Sequence, residues 1–319
     1  MDNKQLENVL TKLKDLSLLV MGDYFLDKYL LLDPSLDEES IETGLTAYQA
    51  VRKRLSPGAA GTVTNNLKAL GIGKVTALGV IGEDGEGHEL IQGLQATGVL
   101  TNNIIMTMER YTPTYIKPMI MQDSEEREFN RIDIKNRVQT PVWIENLIIE
   151  RLLKLSNEVD AIIVIDQVTE KDCGAVTERV RKTLAEIGHM RHDLVIYADS
   201  RAFTYSFDNI IIKCNHHELL RAFRHNPNDE PTEDLIKKYG TMLSLKNNKP
   251  VFVTMGSRGQ IAFERDKITK VPAIPVKEPL DICGAGDATT SGIISGLCCD
   301  MSCGDAALLG NIVPSITIQ

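Results

Sequence analysis

The sequence predicts an α/β fold in which a mostly parallel central sheet is covered by helices on both faces, with a smaller β-sheet beside it. Three observations lead there. Short apolar runs alternate with stretches of helical periodicity along most of the chain. The apolar runs are continuous rather than alternating, as strands buried on both faces require. Two polar, β-leaning segments without helical periodicity, about residues 31–57 and 104–133, break the alternation.

The elements follow in order. Leu6, Val9, Leu10, Leu13 and Leu16 recur at helical spacing, so the chain opens with an amphipathic helix that runs into a first strand, LSLLVMG. KVTALGVIG, VDAIIVID, DLVIYADS, NIIIKCN and KPVFVTMG follow as buried strands, several ending in Gly, Asp or Asn. Between them GTVTNNLKALG, EGHELIQGLQATG, CGAVTERVRKTLAEIG and TEDLIKKYGTMLSLKN read as helices, most closing on Gly or Asn, which tolerate the left-handed backbone after a helix. In such sheets ligands gather beyond the carboxyl ends of the strands, where the polar residues fall here. The interrupting segments are too long for structureless loops of a compact domain. They read as one small β-sheet projecting over the site as a lid, within a single domain spanning residues 1–319.

The formal net charge of -9 and pI near 5.3 argue against nucleic-acid and membrane-surface partners, which favour basic patches, and for an enzyme of small molecules. The six cysteines, Cys173, Cys214, Cys283, Cys298, Cys299 and Cys303, form no C-x-x-C pair and have no His at zinc-ligand spacing, so they read as reduced thiols. The charged N-terminus resembles no leader peptide, and no apolar run is long enough to span a bilayer. The expected location is the cytoplasm.

The chemistry concentrates in DICGAGDATTSG, residues 281–292. Gly284, Ala285 and Gly286 let backbone N–H groups approach a ligand closely, and the helix they open adds partial positive charge, which together make an anion site. A carboxylate beside a bound phosphate costs energy unless the chemistry needs it. Asp287 at the mouth of that site suits removal of a hydroxyl proton during phosphoryl transfer. The competing reading, open on these residues alone, is a helix-terminal charge complementing the dipole. A dinucleotide-dependent dehydrogenase is disfavoured, because no G-x-G-x-x-G follows the first strand, where MGDYFLD stands instead.

DICGAGD resembles the D-T-x-G-A-G-D signature of the ribokinase/PfkB carbohydrate kinases. GDYFLD resembles that family's first-strand sugar-binding turn, SPGAAGTVTNNLKALG its Gly-rich early motif, NHHE its N-x-x-E motif, and TMGSRG its nucleotide-binding turn, all in the family's order from about residue 17 onward. The resemblance implies a ribokinase-like three-layer α/β/α fold with a β-sheet lid, and transfer of the γ-phosphate of Mg-ATP to a sugar hydroxyl. It makes Asp287 the general base and the amides of Gly284, Ala285 and Gly286 the anion hole for the γ-phosphate. Asp281 falls at the monovalent-cation site of many members, which suggests K+. Asp27 matches the carboxylate that binds sugar hydroxyls, and Gly58 a glycine that lets the sugar approach the backbone. Asn215 and Glu218 match the pair that organises Mg2+ and its waters. Thr254, Gly256 and Gly259 match the turn under the nucleotide, and Asn311 falls where the family lines the adenine pocket.

There are departures. Ala59 stands at the family's usual second glycine, and Thr62 at its usual asparagine, a common sugar partner, so the identity of the sugar is open. The chain ends at IVPSITIQ, before the closing helix the resemblance leads one to expect, which would leave the adenine pocket incomplete. GDYFLDKY, PGAAGTV and the pair Asp166–Gln167 are most similar to the heptose-phosphate kinase branch, whose members phosphorylate C1 of a seven-carbon sugar 7-phosphate. A phosphorylated acceptor would need cations, and Lys117, Arg127 and Arg131 in the second lid segment are candidates; the alternative for them is a solvated strand face. The alternative functions are a ribokinase- or fructokinase-like kinase of a neutral sugar, or a catalytically silent sugar- or nucleotide-binding protein on the same fold. Exposed apolar lid residues would pair two chains into a homodimer. His216 and His217 lack further metal ligands and read as surface or packing residues, Cys298 and Cys299 as packing against the sheet, and DSEEREFNRID as a solvated lid edge.

Overall fold

The computed structural model of the chain describes residues 3–122, 125–225, 231–277 and 283–318. Helix α1 (Asn3–Leu13) leads into β1 (Ser17–Gly22), and a turn at Asp23 starts β2 (Tyr24–Leu32). A two-stranded hairpin, β3 (Glu38–Glu39) and β4 (Thr46–Ala47), precedes β5 (Ala50–Ala59), α2 (Ala60–Ala69), β6 (Lys74–Gly82), α3 (Gly85–Ala96) and β7 (Leu100–Thr107). Next come β8 (Thr114–Gln122), β9 (Glu125–Glu128), β10 (Ile132–Ile134), α4 (Val142–Leu155), β11 (Ala161–Asp166), α5 (Glu178–Met190) and β12 (Val195–Ser200). The chain continues through β13 (Ile211–Asn215), α6 (His216–Ala222), α7 (Glu233–Asn247), β14 (Val251–Thr254), β15 (Gln260–Glu264), β16 (Lys267–Val271), α8 (Ala285–Leu297) and α9 (Cys303–Thr317).

Nine strands form the large sheet in the order β16-β15-β14-β13-β12-β11-β1-β6-β7. From β14 to β7 every neighbouring pair is parallel, and β15 and β16 add an antiparallel edge. Successive side chains of a strand point to opposite faces, and here both faces are apolar. Leu18 and Val20 of β1 enter a core with Val63 and Leu67 of α2, Leu94 of α3 and Ile293 of α8. Leu19 and Met21 enter the opposite core with Ile148 of α4, Leu184 of α5 and Leu243 of α7. That double burial gives the three layers their continuous apolar strands.

Helix starts follow side-chain chemistry. Thr177 caps α5, accepting from Val180 N–H, Thr232 caps α7 and Ser302 caps α9. In α1, Val9 and Leu13 are buried as the periodicity predicts, whereas Leu10 stands 48% exposed on the outer face. Cys299 packs toward α1, its thiol 3.9 Å from the Val9 carbonyl.

The small sheet has the order β10-β8-β2-β5, with β9 paired to β8. β2 is antiparallel to β5 and parallel to β8. Two boundaries differ from the sequence expectation. Residues 104–107, grouped there with the small sheet, are the end of β7 and pair with β6 in the large sheet; their mixed burial follows from that edge position. The small sheet also begins earlier, at Tyr24, so Asp27 lies on the sheet itself. Ile41, Leu45, Tyr48 and Val51, along the hairpin and the start of β5, are exposed, as is β9. Among the described residues no helix is long and apolar enough to cross a membrane.

Candidate active site

The carboxyl ends of β12, β13 and β14 and the start of α8 converge on one cluster of charge. Gly284 caps α8 with φ +76°, a left-handed conformation in which a side chain would be strained. The amides of Ala285, Gly286 and Asp287 then head the helix, where no carbonyl of a preceding turn can reach them. Thr62, near the start of α2, faces this turn: a Cβ placed on Gly284 would lie 3.6 Å from its methyl carbon.

Under the turn lies a buried ion pair. Lys213 of β13 puts its Nζ 2.7 Å from Asp199 Oδ2 of β12, and each side chain is only 6% exposed. Thr290 of α8 donates to the same Asp199 oxygen at 3.2 Å, and Lys213 Nζ would lie 3.3 Å from a Cβ on Gly286. Burial opposes the charge on Lys213, and the adjacent Asp199 overcomes it, so the ammonium keeps its proton well above the usual range. The cation lies beside the positive end of α8, so the two together favour an anion bound there.

Asp287 is pushed up to about 7, first by burial and then by the Asp199 charge, while Lys213 and Arg201 pull it down. A carboxylate titrating there is poised to accept a proton near neutral pH. Asp27 also acts on it, so the small sheet reaches the same site.

The N-x-x-E motif forms a capping box. Asn215 Oδ1 accepts from Glu218 N–H at 2.8 Å, and Glu218 Oε2 accepts from Asn215 N–H at 2.7 Å. Burial raises the Glu218 carboxyl, and Asp199 adds to the rise. The box leaves Glu218 Oε1 and the remaining valences of Asn215 beside the charge cluster, oxygen-type partners that suit a Mg2+ ion retaining waters and phosphate oxygens. Among the described residues no group of three or more His, Cys, Asp or Glu could hold a metal alone. Thr254 pairs in register with Asn215 across β13 and β14, and the turn behind it has φ +59° at Gly256 and +83° at Gly259. His216 fastens this edge, its Nδ1 3.2 Å from the Thr254 carbonyl.

On the small sheet, alternation along β2 turns Phe25, Asp27 and Tyr29 to one face and Lys28 to the other, where Lys28 pairs with Glu86 and Glu89 of α3. Gly58 stands against Asp27 so closely that a Cβ there would be 2.5 Å from Oδ2. Lys117 holds Asp27 Oδ1 at 2.8 Å and bonds the Tyr29 hydroxyl at 3.2 Å. Burial works against the Lys117 charge, but these two partners raise its pKa. Arg131 clamps Asp133 at 2.7 and 3.1 Å and lies over the Tyr115 ring at 4.6 Å. Arg127 sits on exposed β9, 3.7 Å from Glu125.

Two expectations need qualification. Asn311 accepts from Gln260 at 2.8 Å and donates to the Pro272 carbonyl at 2.8 Å, so its amide ties α9 to the end of β16 and is spent on the protein rather than offered to a base. Asp281 lies outside the described residues. Sequence reasoning missed Asp199, Arg201 and Lys213. A lysine inside the apolar strand NIIIKCN was the available signal, since lysine is almost never fully buried unless paired.

A family model described as pfkB family carbohydrate kinase matches residues 28–319. Among curated proteins, the bifunctional protein HldE of Pelobacter propionicus is 25% identical over 319 residues, covering 100% of this chain and 63% of that protein. The HldE of Syntrophotalea carbinolica is 27% identical over 326 residues, covering 100% and 62%. The chain thus spans under two thirds of these relatives. Among solved structures, Arabidopsis thaliana ribokinase complexed with ribose and ATP aligns with TM-score 0.68 at 19% identity, covering 95% of this chain and 93% of that one. Escherichia coli phosphofructokinase-2 with substrates and products aligns with TM-score 0.70 at 16% identity, covering 95% and 93%.

Proposed function

The chain belongs to the pfkB family of carbohydrate kinases, and from that premise we propose that it transfers the γ-phosphoryl group of ATP to the C1 hydroxyl of a heptose 7-phosphate-like sugar, with Asp287 as general base. ATP-dependent phosphorylation of a sugar is the family's chemistry; the sugar and the residue roles are this proposal. Its support on the acceptor side is the HldE relatives, the similarity of GDYFLDKY and PGAAGTV to the heptose-phosphate branch, and the cations on the sugar-facing side of the small sheet.

The observation that carries the mechanism is Asp287 in the first turn of α8, beside free helix amides and above the Lys213–Asp199 pair. Asp27, held by Lys117 and pressed on Gly58, presents an acceptor to sugar hydroxyls and orients the reacting one toward Asp287. Asp287 takes the hydroxyl proton. The Ala285 and Gly286 amides and Lys213 receive the charge on the transferring phosphoryl group, in place before the reaction begins. Asn215 and Glu218 would hold Mg2+ through its waters, and the ion supplies neutralisation of phosphate charge. Thr254, Gly256 and Gly259 form the shelf for the nucleotide.

The small sheet with its hairpin closes over the sugar as a lid, and Asp281 belongs to a K+ site. Two copies pair through the exposed apolar residues of the lid, which sedimentation would test. The deciding experiment is a screen of ADP release with sugars and sugar phosphates. The reading predicts a heptose 7-phosphate as the best acceptor, and a neutral hexose or pentose with higher kcat/KM would overturn that choice.

A further inference from the structure

A cavity lies between the small sheet and the segment after β11. Its wall includes Phe25, Tyr115, Val168 and Gly174, together with Lys135 and Arg201, and none of residues 284–287. Most of its other polar groups are already spent. Asp23 accepts the N–H groups of Gln167, Val168 and Ala175 at 2.8, 3.0 and 2.8 Å, which fixes the loop. Arg110 donates to Thr140 at 3.0 Å and to the Cys173 carbonyl. The Asn136 amide closes on both backbone polar atoms of Tyr111, at 3.0 and 2.8 Å.

The cations are different. Arg131 and Lys135 share one carboxylate, Asp133, at 2.7 and 3.4 Å, and both lie over the Tyr115 ring that lines the cavity. Glu170 is taken by Arg137 at 3.9 Å. Arg201 has no carboxylate at ion-pair distance among the described residues, although its backbone is held: its N–H donates to the Asp166 carbonyl at 3.0 Å and its own carbonyl accepts from Arg221 at 3.3 Å. Of the charged groups that line the cavity, Arg110, Lys135 and Arg201 face Asp23 and Glu170. That net positive wall suits a phosphate monoester, which carries about −1.5 to −2 near neutral pH. Lys117, by contrast, is neutralised by Asp27 and serves better to aim that carboxylate than to hold a phosphate.

We infer that this cavity binds the remote phosphate group of a phosphorylated sugar acceptor, with Lys135 and Arg201 as its cationic partners. The inference rests on the sugar-phosphate reading above and assigns the anion to residues that reading did not use. It makes the second phosphate a specificity determinant read by residues outside the 284–287 turn that heads α8.

The test measures kcat/KM for a heptose 7-phosphate and for the same heptose without phosphate, in the wild type and in Lys135→Ala, Lys135→Gln and Arg201→Ala. Each variant supplies its own control, because the ratio of the two constants cancels losses from folding or chemistry. Loss of a charge-assisted hydrogen bond should lower the ratio about 10- to 100-fold in each variant. If the wild type uses the phosphorylated sugar and the ratio does not move, the cavity assignment falls while the sugar-phosphate reading stands. If the wild type prefers the unphosphorylated sugar, both fall.

Discussion

Replacing Lys213 with Met keeps the length of the side chain and removes its charge, leaving Asp199 in a buried site with the Thr290 hydroxyl, at 3.2 Å, as its one side-chain partner among the described residues. Both members of the pair are 6% exposed, so little solvent screening discounts the loss. Breaking a buried pair on one side costs about 3–5 kcal/mol. For a chain of this length that is a fall in Tm of about 5–8 °C. Equilibrium unfolding in urea should show that gap to wild type. Adding Asp199→Leu should recover much of the loss, because an apolar pair of similar volume replaces a buried ion pair at little cost. A Lys213→Met cost under about 1 kcal/mol would refute the buried-pair account.

Other consequences follow from single positions. Ala59 sits at φ +52°, ψ −117°, where an L-residue is strained; Ala59→Gly should raise stability by about 1 kcal/mol in urea unfolding, and a loss would contradict that backbone. Gly58→Ala forces a carbon to within 2.5 Å of the Asp27 carboxylate, so the sugar KM should rise about tenfold or more with the ATP KM unchanged; equal shifts in both would separate Gly58 from the sugar. Asp166 is raised to about 8 by burial and the nearby Asp23 charge, a folded pKa above the unfolded one, so wild-type stability should decline with pH between the unfolded value and about 8 and level off above it. Asp166→Asn fixes the neutral form, and its stability curve should be flatter between pH 5 and 9; parallel curves would count against the raised pKa.

The large sheet was legible because its physics is local. β1, β6, β11, β12 and β13 bury both faces, and continuous apolar runs such as LLVM and IIVI admit few other readings. The edges were not. β16 carries the charges of an edge strand, and β7 reads LTNNIIMT, whose exposed positions resemble the small sheet. The small sheet joins segments that are far apart in the chain, Asp27 beside Tyr115 and Phe25 beside Gly58, which periodicity cannot announce.

The same division holds for the site. Glycines and a carboxylate opening a helix state their chemistry locally, so Gly284 to Asp287 stood out. Asp199 and Lys213 gain meaning only when adjacent parallel strands set them 2.7 Å apart. Asn311 shows the reverse case: its position in the chain suggested a ligand wall, and its amide is consumed by Gln260 and Pro272.

In the proposed transfer, Asp287 removes the proton from the accepting hydroxyl. Asp287→Asn keeps size and hydrogen-bonding reach but cannot take that proton, so the measurement is kcat of this variant on its best sugar across pH 5–9. The account predicts a wild-type rate that rises with pH through about 7, as the raised carboxyl loses its proton. It predicts a variant about 10²–10⁴ slower, without that inflection and with KM values for sugar and ATP close to wild type. A variant with near wild-type kcat and the same inflection would contradict it, leaving Asp287 a charge at the head of a helix.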